Sequence, residues 1–313
     1  MAERSDSSRL GGPVLVTGAA GFVGGHLMRK LSLGEGDYAT DIDDRFQAPP
    51  GVTRLAWRLP GDPPPGLGEV GCVVHLAAVS SVRRSLEGMR STWETNLMGT
   101  LAVLDYMVRK IPEARLLLVS SSEVYRPSED VLTEESPLGP VNPYGATKAA
   151  AERAAFQYAS VHGLDVVVAR SFPHFGPGQS SDFALPAFCR RIVRAERNGE
   201  DGVRVGNLEA VRDYLYVDDV VRAYEELITE GRPGSAYNVC SGSGSSMGQI
   251  LEILLDLAEA DLEIEKDPDL FRPVDVRCQV GDPSRLRSLS GWSPGVSLRG
   301  GLGMLLDYWR ERE

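Results

Sequence analysis

The sequence predicts an α/β fold, a Rossmann-type doubly wound parallel sheet with a smaller C-terminal α/β substrate domain. Three observations support this. Short apolar runs alternate with helical stretches in the first half of the chain, which is the pattern of βαβ units. A glycine-rich turn, VTGAAGFVGG, separates the first apolar run from the first helix. From about Gly176 the loops lengthen and the strands shorten, which indicates a second unit.

The order of elements follows from these patterns. The main sheet is predicted to contain strands at Pro13–Thr17, Asp37–Asp41, Gly71–Leu76, Arg115–Ser120 and Leu164–Arg170. Helices are predicted at Phe22–Leu33, Ser91–Arg109, Pro143–His162, Phe183–Arg197, Val217–Glu230 and Met247–Ala258, with an amphipathic helix near the C-terminus. Residues 12–175 would form the Rossmann domain, completed by segments near 212–242. Residues 176–313 would mainly form the substrate domain.

Composition excludes several classes of protein. The chain has 313 residues, 42% of them hydrophobic, and a net charge of −11, which argues against nucleic acid as the main partner. No apolar run approaches the roughly 20 residues that span a bilayer, and the four histidines show no metal-ligand spacing. The four cysteines form no CxxC pair and are predicted to be free thiols. The expectation is a cytoplasmic protein without metal or membrane anchor.

The glycine-rich turn predicts a dinucleotide site. Gly18, Gly21 and Gly24 follow a G-x-x-G-x-x-G spacing between strand and helix. The first glycine permits the tight turn, the second lets the backbone approach a pyrophosphate, and the third lets the helix pack on the strand. Phe22 and Val23 begin the helix, whose N-terminus faces the anion.

Asp41 ends the second predicted strand at a distance that suits a contact with the adenosine ribose. A carboxylate there accepts hydrogen bonds from the ribose hydroxyls and repels a 2′-phosphate, so it favours NAD(H). Arg45 follows closely and weakens this preference, which leaves NADP(H) as the alternative.

Several motifs carry a resemblance to a known family. The TGxxGxxG turn resembles that of the extended short-chain dehydrogenases/reductases acting on nucleotide sugars, as do HLAA (75–78), NLMGT (96–100), SSSEVY (120–125) and the downstream pair of Tyr144 and Lys148. The C-terminal half is most similar to GDP-4-keto-6-deoxy-mannose reductases and GDP-mannose 4,6-dehydratases, through HFGPGQSSDF (174–183), GNLEAVRD (206–213) and RPVDV (272–276). The resemblance implies cofactor contacts from Leu76, Ala77, Ala78, Asn96, Tyr144 and Lys148.

Tyr144 and Lys148 lie one helical turn apart, which suits acid/base chemistry at a sugar oxygen. A phenol with an ordinary pKa near 10 needs a neighbouring cation to become a base, and Lys148 would supply it. The resemblance makes Tyr144 the acid/base and Ser121 the group that hydrogen-bonds the reacting oxygen. Glu123 would be a base at sugar carbon 5, as in the dehydratases, or would only orient hydroxyls.

The resemblance also implies a substrate site. Its residues would be Ser122, Arg83, His174, Asn207, Arg212, Arg272 and Asp275, with the arginines near the diphosphate, Asn207 near guanine and Asp275 at the ribose. One residue departs from the family pattern: Pro173 replaces an asparagine that contacts substrate, which suggests a changed sugar. The helices 91–109 and 143–162 are expected to form a homodimer interface.

Four functions remain open from the sequence. The first is a reductase that delivers hydride to a 4-keto GDP-sugar, with Tyr144 protonating the alkoxide. The second is an epimerase with tightly bound NAD+, and the third is a 4,6-dehydratase that uses Glu123 as base. The fourth, a non-catalytic sensor of cofactor redox state, has no use for Ser121, Tyr144 and Lys148.

Overall fold

The computed structural model describes residues 10–267 and 276–313. The strands are β1 (Val14–Thr17), β2 (Tyr38–Asp41), β3 (Thr53–Ala56), β4 (Cys72–His75), β5 (Arg115–Ser121), β6 (Asp165–Ser171), β7 (His174–Phe175), β8 (Gly202–Val205), β9 (Val211–Asp213), β10 (Leu215–Tyr216), β11 (Ser235–Val239), β12 (Gly244–Ser246), β13 (Glu263–Lys266) and β14 (Cys278–Gln279).

The α-helices are α1 (Phe22–Lys30), α2 (Val82–Glu87), α3 (Met89–Trp93), α4 (Gly99–Lys110), α5 (Pro143–His162), α6 (Ala184–Asn198), α7 (Val217–Glu230), α8 (Met247–Asp256), α9 (Ser284–Ser290) and α10 (Leu298–Arg310). A π-helical turn (Glu94–Met98) joins α3 to α4, and a 3₁₀ turn (Ser122–Val124) follows β5.

The central sheet is parallel and has seven strands in the order β11-β6-β5-β4-β1-β2-β3. The strand order reverses direction between β1 and β4, so the connections leave these two strands towards opposite faces. Ligands bind outside the carboxyl ends of the strands at such a switch point. The sheet therefore confirms the predicted Rossmann architecture.

Helices cover both faces of the sheet, and successive residues of β1 show this directly. Val14 and Val16 pack into a core with α1 and α7, whereas Leu15 packs into the opposite core with α4 and α5. All three side chains have no exposed surface. Burial on both faces explains why the inner strands are continuous apolar runs.

The predicted elements agree with the structure in most places. All five predicted main-sheet strands are present, and α5 and α7 have the bounds expected from the sequence. The helix predicted at 91–109 is interrupted by the π turn. Strand β3 was missed because its side chains are mostly exposed at the sheet edge, where no apolar alternation is needed. Strand β11, which pairs with β6 in the central sheet, lies within the segments near 212–242 that were expected to complete the Rossmann domain.

A second core holds the smaller unit together. It is formed by α6, α8, α10 and β8, with Phe175 and Tyr216 where this unit meets the sheet. Small sheets of two or three strands, β10-β7, β12-β9-β14 and β13-β8, complete it. Within residues 10–267 and 276–313, no helix is long and apolar enough to cross a membrane, and no group of side chains has the make-up of a metal site.

Candidate active site

The glycine-rich turn is shaped by close backbone contacts. Gly18 has φ +72°, and a Cβ atom there would lie 2.6 Å from the backbone nitrogen of Ala77. A Cβ atom on Gly24 would overlap the backbone of Ala19. Only glycine fits these two positions, so β1, the turn and the start of α1 can approach one another and the loop after β4.

Helix α1 begins after Gly21 without a side-chain cap. Asp41, at the end of β2, accepts hydrogen bonds from the backbone N–H groups of Ala20 (3.0 Å) and Ile42 (2.8 Å), so its carboxylate lies against the turn. Arg45 is directed to Asp43 instead (3.2 Å). An uncapped helix start beside a glycine cradle and a carboxylate suits a dinucleotide, with its pyrophosphate at the helix and its ribose near Asp41.

Asn96 hydrogen-bonds both the loop after β4 and helix α5. Its amide oxygen accepts from the N–H of Val79 (2.7 Å), and its amide nitrogen donates to the carbonyl of Val79 (3.2 Å) and to the hydroxyl of Thr147 (2.9 Å). These bonds tie Val79, the residue after 76–78, to α5. Asn96, expected to contact the cofactor, is thus bonded to both the loop and the helix.

Tyr144 stands at the start of α5, and the sequence explains its placement. Asn142 caps the helix by accepting from the N–H of Gly145 (2.8 Å), and Pro143 occupies the first turn. Ser85 accepts a hydrogen bond from the N–H of Tyr144 (3.2 Å). The phenol hydroxyl hydrogen-bonds with Ser121 at the end of β5.

Burial of Tyr144 acts on its pKa in the direction opposite to the one expected from Lys148. Burial raises the pKa of Tyr144 to about 12, and the charge of Glu123 adds to this, while the Ser121 hydrogen bond acts in the opposite direction. The sequence predicts a phenol made acidic by Lys148, whereas the largest influence on the pKa of Tyr144 in the structure is desolvation by burial.

Lys148 is almost fully buried, and its Nζ atom donates to the carbonyl of Val119 (2.7 Å). Burial lowers the pKa of Lys148 to about 8, and the carboxylate of Glu152 partly opposes this shift. Glu152 is itself buried, paired with Arg170 (2.8 Å) and bonded by the hydroxyl of Ser120. Glu152 lies one helical turn after Lys148, and this i, i+4 spacing is the sequence signal for its support of the lysine.

Glu123 joins the same cluster. Its Oε2 atom accepts from the side-chain amide of Asn142 (2.7 Å), so the residue that caps α5 also holds this carboxylate. Ser122 is buried in the 3₁₀ turn between Ser121 and Glu123. The structure thus brings the expected catalytic residues Ser121, Glu123, Tyr144 and Lys148 together at the carboxyl ends of β5 and β4.

The expected substrate residues are more scattered. Arg83 is 81% exposed and pairs with Glu87. His174 lies against the ring of Phe22 (ring centres 6.1 Å apart) and donates from Nδ1 to the carbonyl of Phe172, and burial lowers its pKa. The side-chain oxygen of Asn207 accepts a hydrogen bond from the N–H of Glu209 in the same turn, and Arg212 lies on β9. Arg272 and Asp275, the other expected substrate residues, fall outside the described residues.

Known proteins resemble the chain over nearly its full length. A family model described as GDP-mannose 4,6 dehydratase matches residues 68–305. GDP-6-deoxy-D-mannose reductase of Pseudomonas aeruginosa is 33% identical over 303 residues, which cover 96% of this chain and 97% of that protein.

Solved structures agree with this. RMD from Pseudomonas aeruginosa, complexed with NADPH, superposes with a TM-score of 0.81 at 31% identity and covers 96% of this chain and 100% of its own. MoeE5, in complex with UDP-glucuronic acid and NAD, has a TM-score of 0.84 at 30% identity with the same coverage. The chain therefore belongs to the GDP-mannose 4,6 dehydratase family within the extended short-chain dehydrogenases/reductases.

Proposed function

We propose that the protein is an NAD(P)-dependent oxidoreductase that reduces a 4-keto group on a GDP-sugar. The observation that carries this proposal is the placement of Tyr144, which is buried and hydrogen-bonded to Ser121 at the end of β5. Ketone reduction needs a proton donor held in this way because the carbonyl oxygen must gain a proton. The similarity to a GDP-6-deoxy-D-mannose reductase over 96% of the chain supports a GDP-sugar as substrate.

In this reaction Tyr144, Ser121 and Lys148 have separate roles. The glycine turn and Asp41 would hold the dinucleotide, which when bound would supply the hydride for the carbonyl carbon. Tyr144 gives its phenolic proton to the carbonyl oxygen, and the hydroxyl of Ser121 hydrogen-bonds that oxygen and keeps it next to the phenol. Lys148, with a pKa of about 8, is mostly protonated at pH 7 and offsets the negative charge left on the phenolate.

The cofactor is proposed to be NAD(H) in preference to NADP(H). The carboxylate of Asp41 lies against the glycine turn, where it would meet the adenosine ribose, and Arg45 is engaged with Asp43. A 2′-phosphate would meet this negative charge without a free cation from Arg45. The two related structures hold NADPH and NAD, so the family accommodates both.

The test is a reduction assay with GDP-4-keto-6-deoxy-mannose. We expect NADH absorbance to fall only when the keto-sugar is present, and Tyr144→Phe to lower kcat by several orders of magnitude. Tyr158→Phe is the matched control: this tyrosine lies on the same helix but donates to Asp105 away from the site (2.7 Å). Equal activity of Tyr144→Phe and the control would refute the proposed role.

A second candidate is a GDP-sugar 4,6-dehydratase, favoured by the position of Glu123 beside Tyr144. Incubation with GDP-mannose and no added reductant separates the two, because only the dehydratase makes a keto-sugar from it. Glu123→Gln would then abolish the reaction. The epimerase alternative predicts protein that purifies with NAD and interconverts two GDP-sugars without consuming NADH.

We also propose a homodimer formed through the segment 91–109 and α5. These elements carry exposed large apolar side chains, namely Trp93, Met98 and Val161. Exposed apolar side chains that come together on a surface mark a protein contact. Light scattering should give a dimer that Trp93→Asp with Met98→Asp dissociates, whereas Met304→Asp on α10, equally exposed, should leave it intact.

A further inference from the structure

His75 is a buried histidine that the proposed chemistry does not use. It is the last residue of β4 and is 1% exposed. Its Nδ1 atom lies 2.7 Å from the hydroxyl of Thr17, at the end of β1, and its Nε2 atom lies 3.1 Å from the hydroxyl of Thr100 on α4. Burial lowers the pKa of His75 to about 3, and the charge of Lys148 acts in the same direction, which favours the neutral ring.

The partners of the two threonines determine which ring nitrogen carries the hydrogen. Thr100 donates its single hydroxyl proton to the carbonyl of Asn96 (2.6 Å), so it can only accept from His75. The Nε2 atom must then carry the hydrogen. At the other side of the ring, the hydroxyl oxygen of Thr17 accepts from the N–H of Ala77 (3.4 Å), which leaves its proton for Nδ1. Both sides therefore require the same neutral form of His75, with hydrogen on Nε2.

These hydrogen bonds form one chain in which every donor points the same way. The chain runs, in order, through Ala77, Thr17, His75, Thr100 and Asn96. Each hydrogen bond in such a chain polarises and strengthens the next one. Because the side chains of Thr17, His75 and Thr100 are buried, the loss of one link leaves a buried polar atom without a partner.

The chain reaches both ends of the loop after β4, which is expected to contact the dinucleotide. The backbone nitrogen of Ala77 is so close to the glycine turn that a Cβ atom on Gly18 would lie 2.6 Å from it. At the other end of the loop, the side chain of Asn96 bonds both backbone groups of Val79 and the hydroxyl of Thr147 on α5. The imidazole therefore joins the loop, the glycine turn and the catalytic helix in one network.

We propose that His75 is a positioning residue for the dinucleotide: its imidazole, with hydrogen on Nε2, holds the loop of residues 76–79 against the glycine turn in the conformation that receives the cofactor. The proposal rests on the NAD(P)-dependent function above. An imidazole carries an acceptor and a donor on opposite sides of one rigid ring, as Thr17 and Thr100 require. A loop that is held in place beforehand lowers the cost of ordering it when the cofactor binds.

The first test is the position of the hydrogen on the ring. The chain has four histidines, so labelling them with ¹⁵N gives a simple NMR spectrum, in which the signals of His75 are those that disappear in His75→Asn. We expect the nitrogen shifts of a neutral ring with hydrogen on Nε2 at pH 7, with and without NADH. A charged ring, or hydrogen on Nδ1, would overturn the inference.

The second test compares two side chains of the same shape. Asparagine places an amide oxygen where histidine has Nδ1, so His75→Asn keeps an acceptor for Thr17, whereas His75→Leu has no polar atom. We expect His75→Leu to raise the Kd for NADH roughly tenfold, the loss of about one hydrogen bond, and His75→Asn to stay within about threefold of wild type. The KM for the keto-sugar should change by less than about twofold in both. Equal Kd values in the two variants would overturn the inference.

Thr17→Val keeps the inference testable if His75→Leu does not fold, because valine has the shape of threonine. It breaks the link between His75 and Ala77 and should also raise the Kd for NADH about tenfold. An unchanged Kd would count against the chain and overturn the inference.

Val74→Ala is the matched control, because Val74 precedes His75 on β4 and its side chain packs in the core with α1 and α7. It should lower Tm without changing the Kd for NADH. A tenfold rise in Kd in this control would show that any damage to β4 weakens cofactor binding, and the specific role of His75 would fall.

NADH binding separates this inference from the proposed function. If wild type binds NADH but reduces no keto-sugar, the proposed function fails, and the Kd values of the variants still test His75. If wild type reduces the keto-sugar while His75→Leu binds NADH as tightly as wild type, the proposed function stands and the inference fails.

Discussion

Replacing Lys148 by methionine should make the protein more stable and inactive at the same time. Methionine keeps the length of the side chain but carries no charge. Lys148 is buried, and burial lowers its pKa from an ordinary value near 10.5 to about 8. The folded protein therefore holds an ammonium group in a place that disfavours the charge.

The size of the expected stabilisation follows from the pKa shift of Lys148. A lysine that binds its proton less tightly in the folded state destabilises the fold below pH 8, by about 3 kcal/mol for this shift. Methionine cannot make the hydrogen bond that Lys148 donates to the carbonyl of Val119, and this loss cancels about 1 kcal/mol of the gain in stability. The expected net gain at pH 7 is about 2 kcal/mol, or a rise in Tm of about 3 °C.

The pH dependence of the free energy of unfolding tests the direction of this effect. The unfolded chain binds more protons than the folded one between pH 8 and 10.5, so wild-type stability should rise relative to the variant across this window. Calorimetry at pH 7 and at pH 10.5 measures the difference in Tm. The advantage of Lys148→Met should disappear or reverse at the higher pH. A variant that is less stable than wild type at pH 7, or a difference independent of pH, would refute the reasoning.

Three further predictions address the same site. Glu152→Gln removes the carboxylate that raises the pKa of Lys148, so the alkaline limb of the kcat profile should move to lower pH; an unmoved limb would contradict this electrostatic role. Gly24→Ala would force a side chain against the backbone of Ala19, and should cost about 1–3 kcal/mol in stability by calorimetry and weaken NADH binding measured by fluorescence titration. Asp41→Ser should shift the ratio of kcat/KM values towards NADPH by about tenfold, and an unchanged ratio would remove Asp41 from cofactor selection.

The sequence was sufficient for features governed by local patterns. The turn of Gly18 and Gly24 could be read in advance because only glycine tolerates these backbone approaches, and α5 could be bounded because Asn142 and Pro143 are strong start signals. Strand β3 gave no such signal, since an exposed edge strand needs no buried alternation. The π turn in the helix predicted at 91–109 left no mark in the helical pattern.

By itself, the sequence determined five strands of the sheet, the cofactor turn and the spacing of Tyr144 and Lys148, because each of these is recorded in residues close together in the chain. Only the tertiary structure decided the direction in which these two groups are shifted, since burial by distant elements raises the pKa of Tyr144 and lowers the pKa of Lys148. It also brought Thr17 to a ring nitrogen of His75, 58 positions later in the chain. Long-range packing sets the dielectric and the neighbours of a side chain, and no local pattern of residues records either.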